Sequence, residues 1–163
     1  MAFNNAGITG GAHRIEDYPA SDFEKVLRVN LTSVFLGMKY ELPLMKRGGG
    51  GAICNTASVA AITGPGGMCA YAASKCGVHG LTRVAAMENA ALNIRVNTLA
   101  PGWTETPMVV ANSAQNPGFA EHVKWASRPS AAASLAKLPL RQFGCALPKQ
   151  AMYLDKCSSS MAA

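Results

Sequence analysis

Apolar residues recur along the first hundred positions in two alternating patterns, short runs and helical repeats. The short apolar start Ala2-Phe3-Asn4 predicts a strand end. Ser21-Asp22-Phe23-Glu24 has the capping-box pattern, and it opens a stretch with helical spacing that predicts a helix to about Met45. The apolar positions with this spacing are Phe23, Val26, Leu27, Leu31, Val34 and Phe35.

The alternation repeats after four glycines, Gly48 to Gly51. These glycines predict a flexible helix-to-strand connection, because they lack the Lys-Ser/Thr of a phosphate-binding loop and precede a strand. The segments predicted beyond them are a strand over 52–56, a loop over 63–67, a helix over 70–89 and a strand over 94–99. The order strand–helix–strand–helix–strand predicts an α/β fold with a parallel, doubly wound sheet and right-handed crossovers.

Length and composition narrow the class of protein. The chain has 163 residues, 49% of them hydrophobic and 15% charged, which is typical of one globular domain and not of a disordered segment. No apolar run approaches the roughly 20 residues that a membrane-spanning helix needs. Because the first residues lack the pattern of a signal peptide, we expect a cytoplasmic protein with no membrane partner.

Charge and metal-ligand residues add little chemistry. The five cysteines form no C-x-x-C pair and the three histidines show no ligand spacing, so we expect neither a metal site nor a disulfide framework. The net charge is +6, and residues 111–163 hold six Lys/Arg against two Asp/Glu. These charges do not cluster and no aromatic platform accompanies them, so nucleic-acid binding is not predicted.

A tyrosine and a lysine carry the candidate chemistry. Tyr71 and Lys75 are four residues apart and share one face of the predicted helix. A neighbouring ammonium favours the phenolate and lowers the pKa of a tyrosine, which is ordinarily about 10. With the hydroxyl of Ser58 nearby, this set suits proton transfer at a C–O bond. Tyr-x-x-x-Lys alone is a weak motif, because many helices carry that pair on an exposed face.

Further motifs surround this pair in a characteristic order. They are Asn4-Asn5-Ala6-Gly7, Val29-Asn30-Leu31, Asn55-Thr56-Ala57-Ser58, Ile94-Arg95-Val96-Asn97 and Pro101-Gly102-Trp103-Thr104-Glu105-Thr106-Pro107. In order and spacing the set resembles the short-chain dehydrogenase/reductase family over about residues 1–108. The resemblance implies an NAD(P)-dependent oxidoreductase that interconverts a secondary alcohol and a ketone.

The resemblance also implies a role for each residue. Tyr71 would be the general acid or base, Ser58 would hold the substrate oxygen, and Lys75 would lower the Tyr71 pKa and bind the nicotinamide ribose. Asn30 would hold a local bend in its helix and a water that relays protons to Lys75. The implied cofactor-binding residues are Asn5, Ala6, Gly7, Tyr71, Lys75, Pro101, Gly102, Thr104 and Thr106.

Two of these residues have structural alternatives. Asn30 lies in an apolar helical stripe, where a hydrogen-bonded amide would also serve simply to brace the helix. Ser58 would equally cap the loop that follows its strand. Its position at the carboxyl end of a parallel strand, where open α/β sheets bind ligands, favours a place in the active site.

The chain departs from the family pattern at its start. It has no Gly-x-x-x-Gly-x-Gly turn, on which the cofactor pyrophosphate would bind at a helix amino end. We therefore expect an incomplete Rossmann-like sheet of three strands, equivalent to the family's fourth strand onward, without the last strand. The expected division is a truncated catalytic core over 1–108 and a substrate-loop region with a poorly matched tail over 109–163.

Two functions follow from this pattern. The first is an oxidoreductase that binds NAD or NADP weakly and turns over slowly. The second is a catalytically inactive, truncated family member that acts only by association. Helices equivalent to 22–46 and 70–89 form subunit contacts in the family, so this member would form homo-oligomers or mixed oligomers with complete relatives.

Overall fold

The computed structural model describes residues 1–102, 106, 109, 110 and 114. Met1–Pro101 form one compact unit and Gly102–Ala163 a second one. In the second unit, the Val110 amide donates to the Thr106 carbonyl at 2.9 Å. The predicted domain boundary at 108, the implied site residue Thr104 and most of the predicted substrate-loop region lie outside the described residues.

A three-stranded parallel sheet organises the first unit. Its strands are β1 (Ala2–Asn4), β2 (Gly51–Thr56) and β3 (Ile94–Leu99), in the spatial order β1-β2-β3. Asn4 lies opposite Asn55, and Ile53 lies opposite Val96. The three predicted strands and their parallel arrangement are confirmed.

The first long helical segment consists of three parts. Helix α1 (Ala20–Leu27) continues through a π-helical turn over Arg28–Thr32 into α2 (Ser33–Arg47). The predicted capping box at Ser21 is wrong, because the helix begins at Ala20, two residues before the Asp22 that a Ser21 N-cap requires. Pro19 is the N-cap residue, and its carbonyl accepts the amides of Asp22 and Phe23 at 3.1 and 3.0 Å. Ser21 therefore lies within the first turn, where its side chain makes no capping hydrogen bond.

The glycine run after α2 reverses the chain into β2. Gly48 is the C-cap residue of α2, and Gly49 and Gly50 have φ values of +78° and +146°, which other residues rarely adopt. The predicted connection is confirmed, although Gly51 already belongs to β2. The helices that follow β2 are a short α3 (Ala60–Thr63), which the sequence did not predict, and the long predicted α4 (Cys69–Asn89).

The hydrophobic core lies between one face of the sheet and helices α2 and α4. Its buried side chains are Val34, Met38, Ile53, Ala57, Val78, Ala85, Ile94 and Val96. Gly77 lets α4 approach the π-helical turn closely, because a Cβ there would lie only 2.7 Å from the Leu31 Cδ2 atom. Side chains alternate along a strand, so Phe3, Arg95 and Asn97 point away from this core and are exposed.

A buried polar network joins the sheet to α4. The Asn4 Nδ2 atom donates to the Asn55 Oδ1 atom at 2.9 Å and to the Glu41 Oε2 atom at 3.1 Å. The Asn55 Nδ2 atom donates to the Thr82 Oγ1 atom at 2.9 Å, and this hydroxyl donates to the Val78 carbonyl. Because buried polar groups need partners, the network fixes β1, β2 and α4 in one register.

Candidate active site

The candidate site lies where β2 ends and α4 begins. Ser58 follows β2 in a loop that two hydrogen bonds hold beside β3, from the Ala57 amide to the Leu99 carbonyl at 2.8 Å and from the Val59 amide to the Pro101 carbonyl at 3.1 Å. Ser58 is therefore positioned at the carboxyl end of the parallel strands, where open α/β sheets bind ligands.

Ser58 lies beside Tyr71. Its hydroxyl is close enough to the Tyr71 phenol to lower the pKa of Tyr71 through hydrogen bonding. The Ser58 Oγ atom also accepts the Ala60 amide at 3.2 Å, so Ser58 caps the loop as well as contacting Tyr71. The two alternatives that the sequence left open for Ser58 are compatible, since one oxygen makes both contacts.

Lys75 brings a buried ammonium to the same place. Only 3% of Lys75 is exposed, and its Nζ atom lies 5.6 Å from the centre of the Tyr71 ring. The Nζ atom donates to the Thr56 carbonyl at 2.8 Å. Burial lowers the pKa of Lys75 from 10.5 to about 8, because an apolar environment disfavours the charged form.

The direction of the Tyr71 pKa shift differs from the prediction. Burial raises the pKa of Tyr71 above 10, and the hydrogen bond with Ser58 lowers it by less. The prediction that Lys75 gives Tyr71 a pKa below 10 is therefore wrong for the protein without a bound ligand. The Lys75 ammonium donates to the Thr56 carbonyl, and the loss of water around the phenol outweighs the other contributions.

Asn30 lies fully buried in the π-helical turn. Its Oδ1 atom accepts the Ile8 amide at 2.8 Å, and its Nδ2 atom donates to the Ile8 carbonyl at 2.8 Å. The Nδ2 atom also donates to the Ser74 Oγ atom at 3.0 Å. Asn30 therefore braces the helix as a satisfied amide, and the predicted distortion of the helix is present as the π-helical turn. The predicted water relay stays a prediction.

Gly7 lies next to Asn30 and Lys75 in this cluster. A Cβ at Gly7 would lie 3.3 Å from the Asn30 Oδ1 atom and 3.5 Å from the Lys75 Nζ atom. Asn5 and Ala6, which precede it, are exposed, and Pro101 is partly buried beside Ser58. Gly102 and Thr106 belong to the second unit.

Comparison with known proteins gives the family. The family model described as "short chain dehydrogenase" matches residues 1–117. The chain belongs to the short-chain dehydrogenase family. The predicted resemblance is thereby confirmed, and so is the fold class, because similar solved structures belong to the same family.

Two curated enzymes are similar to the chain. Cyclohexanol dehydrogenase from Acinetobacter sp. (strain SE19) is 45% identical over 109 residues, which is 67% of this chain and 43% of the relative. Levodione reductase from Leifsonia aquatica is 49% identical over 107 residues, which is 66% of this chain and 40% of the relative. The chain thus spans less than half of the length of either enzyme.

Solved structures resemble the chain over a larger share. A crystal structure of levodione reductase has a TM-score of 0.72 and 38% identity, covering 82% of this chain and 57% of that one. A structure of NAD⁺-bound xylitol dehydrogenase has a TM-score of 0.65 and 39% identity, covering 69% of this chain and 44% of that one. The described part of the chain contains no helix long and apolar enough to span a membrane.

Several groups that contact the site residues were not predicted from the sequence. Ser74 is fully buried and bonds both Asn30 and the Tyr71 carbonyl, the latter at 2.7 Å. The sequence does contain an indication of Ser74, because it lies three residues after Tyr71 in Tyr-x-x-Ser-Lys, on the same predicted helix. The Thr56 carbonyl and the Ile8 backbone left no signal, because every residue carries those groups.

Proposed function

We propose that this chain is an NAD(P)-dependent oxidoreductase that interconverts a secondary alcohol and a ketone. The catalytic residues in this proposal are Ser58, Tyr71 and Lys75, with Asn30 beside them. The observation that carries the proposal is the placement of the buried Lys75 ammonium 5.6 Å from the centre of the Tyr71 ring, with the Ser58 hydroxyl beside the phenol. Such a set of groups suits proton transfer at a substrate oxygen.

Proton transfer in this proposal runs through Tyr71. Because burial raises the pKa of Tyr71, the phenol is protonated at neutral pH and donates its proton to a ketone oxygen during reduction. The Ser58 hydroxyl holds the same oxygen. In the oxidation direction, Tyr71 accepts the proton of the alcohol. When bound, the nicotinamide cofactor supplies or takes up the hydride at the substrate carbon.

The residues beside Tyr71 fit the nicotinamide ribose. An ammonium has three N–H donors, and Lys75 uses one for the Thr56 carbonyl, so donors remain for sugar hydroxyls. Gly7 leaves the backbone free to approach a ligand next to Lys75. The proposed cofactor contacts are Asn5, Ala6, Gly7, Tyr71, Lys75, Pro101, Gly102, Thr104 and Thr106.

We propose that this 163-residue polypeptide binds NAD or NADP weakly. Its sequence has no Gly-x-x-x-Gly-x-Gly turn to bind the pyrophosphate. A Kd of 1 μM corresponds to about 8 kcal/mol, and losing half of that leaves binding in the millimolar range. Titration calorimetry with NAD(H) and NADP(H) measures the affinity, and a micromolar Kd would contradict this proposal.

Cyclic alcohols and ketones are the first substrates to test. Two relatives are named for cyclohexanol and levodione, and we propose a related substrate class for this chain. Residues 59–68 follow Ser58 and would line the pocket. We propose a cytoplasmic site of action, since the described cysteines Cys54, Cys69 and Cys76 are free thiols, as is typical of a reducing compartment.

One pair of variants tests the proposed activity. The assay follows the absorbance of the reduced nicotinamide with cyclohexanol and NAD⁺ or NADP⁺, and with cyclohexanone in reverse. Tyr71→Phe removes the phenolic proton and should lower the rate by about 10²- to 10⁴-fold. Tyr40→Phe is the matched control, because Tyr40 is exposed on α2. Equal rates for wild type and Tyr71→Phe would refute the proposal.

A second candidate function is association without catalysis. Helix α2 exposes large apolar side chains and so does α4, which is the observation in favour of it. These side chains are Phe35, Leu36, Tyr40 and Leu44 on α2, and Val84 and Met87 on α4. We propose that helices 22–46 and 70–89 join two copies of this chain or join it to a complete relative. Co-purification with such a relative would support this candidate, and a monomer with normal turnover would exclude it.

A further inference from the structure

Ser74 makes two hydrogen bonds from a fully buried hydroxyl. It donates to the Tyr71 carbonyl at 2.7 Å and accepts from the Asn30 Nδ2 atom at 3.0 Å. The first contact alone is common, because serines in helices often bond a carbonyl of the preceding turn. The second contact joins α4 to a different element, the π-helical turn, at the level of Tyr71.

The partner of Ser74 is itself rigidly held. The Asn30 amide makes a pair of hydrogen bonds, each 2.8 Å long, with the backbone of Ile8, in the loop that follows β1. A continuous series of hydrogen bonds therefore runs from Ile8 through Asn30 and Ser74 to Tyr71. Both Tyr71 and Lys75 project from the helical turn at which this series ends.

We propose that Ser74 is a positioning residue, whose hydroxyl fixes the first turns of α4 against Asn30 and so orients the Tyr71 phenol and the Lys75 ammonium. The expected effect of Ser74 on turnover rests on the proposed function. Its effect on the orientation of Tyr71 and Lys75 does not. Without the hydroxyl, the Tyr71–Ser58 and Lys75–Thr56 contacts should loosen together, because both side chains leave the same turn.

Thr82 offers a matched comparison on the same helix. Its buried hydroxyl also donates to a carbonyl of its own helix, that of Val78 at 2.7 Å, and accepts from an asparagine of another element, Asn55 at 2.9 Å. It lies two turns further along α4 than Ser74. If the role of Ser74 were purely structural, Ser74→Ala and Thr82→Val would differ from wild type only in stability. The Lys75 pKa and the kinetic constants would then be alike in the two variants.

The first measurement needs no turnover. In the full chain with ¹³C-labelled lysine, NMR follows the titration of Lys75, whose signal is assigned with Lys75→Met. The wild-type pKa should be about 8. In Ser74→Ala it should fall by about half a pH unit or more, because a weaker bond to the Thr56 carbonyl disfavours the charged form. In Thr82→Val it should not change.

The second measurement is kinetic. Ser74→Ala should lower kcat about tenfold and leave KM within about twofold, because misorientation affects the transition state more than substrate binding. Thr82→Val should leave both constants near their wild-type values. If Ser74→Ala does not fold, Ser74→Cys replaces it, since a thiol keeps the size of the side chain but is a weaker acceptor.

The two proposals fail in different ways. An unchanged Lys75 pKa in folded Ser74→Ala, or an equal shift in Thr82→Val, would overturn the positioning role. A wild-type chain without turnover, in which Ser74→Ala still shifts the Lys75 pKa, would overturn the proposed function and leave the positioning role supported.

Discussion

The buried Lys75 ammonium should cost the protein stability at neutral pH. Burial lowers its pKa from 10.5 to about 8. At 1.36 kcal/mol per pH unit, this difference means that folding disfavours the charged lysine by about 3 kcal/mol. At pH 7 the side chain is charged in both the folded and the unfolded chain, so the whole penalty applies.

The penalty should disappear as the pH rises. Above about pH 8 the folded chain loses the Lys75 proton, whereas the unfolded chain keeps it to about pH 10.5. Between these values the unfolded state binds more protons, so the contribution of Lys75 to the free energy of unfolding increases with pH. This behaviour is opposite to that of a lysine in a favourable ion pair.

Lys75→Met removes the charge and keeps an apolar chain of similar length. It also deprives the Thr56 carbonyl of its donor, which costs about 1–2 kcal/mol. The variant should therefore be about 1–2 kcal/mol more stable than wild type at pH 7. The advantage should vanish, or reverse, toward pH 10. Urea unfolding followed by circular dichroism at pH 7, 8, 9 and 10 measures both free energies.

Lys25→Met is the control for this experiment, because Lys25 is exposed near the end of α1. It should change the free energy of unfolding by less than about 0.5 kcal/mol at each pH. A Lys75→Met variant that is less stable than wild type at pH 7, or a stability difference that does not vary with pH, would refute this reasoning.

Two further substitutions test the packing around the site. Gly7→Ala should lower turnover about tenfold and stability by about 1 kcal/mol, because its Cβ would crowd the Asn30 Oδ1 atom at 3.3 Å. The control is Gly80→Ala on α4, whose Cβ would meet nothing within 4 Å, and equal activity losses in the two variants would contradict the expectation. Asn55→Ala should cost about 1–3 kcal/mol in urea unfolding, because it leaves the Asn4 amide with only Glu41 and the Thr82 hydroxyl with only the Val78 carbonyl as partner. A loss below 1 kcal/mol would show that the network does not hold the sheet to α4.

The main elements of the fold were predictable from the spacing of apolar residues. Strands β2 and β3 are short apolar runs, and α4 lies between two turn signals, Gly64–Gly67 before it and Asn93 after it. The first residue of α1 was predicted wrongly, because Pro19 competes with Ser21 for the N-cap position. The π-helical turn was not predicted as such, since it depends on contacts of Asn30 with a distant loop.

The candidate site was predictable in its residues and not in its electrostatics. The spacing of Tyr71 and Lys75, and the family resemblance that includes Ser58, predicted a cluster, and these three side chains do lie together. The Tyr71 pKa was predicted in the wrong direction, because desolvation depends on burial, which a four-residue spacing does not determine. Ser74 was overlooked, since its importance lies in a contact with Asn30, 44 residues away.

Deuterium transfer tests the central claim most directly, namely that Ser58, Tyr71 and Lys75 serve an alcohol–ketone oxidoreductase. The protein is incubated for hours with NAD⁺ or NADP⁺ and cyclohexanol deuterated at the carbinol carbon, and mass spectrometry then measures deuterium in the reduced cofactor. The proposal predicts deuterium transfer by the wild-type chain and by Tyr40→Phe, and at least about 100-fold less transfer by Tyr71→Phe. No transfer by the wild-type chain, or equal transfer by Tyr71→Phe, would contradict it.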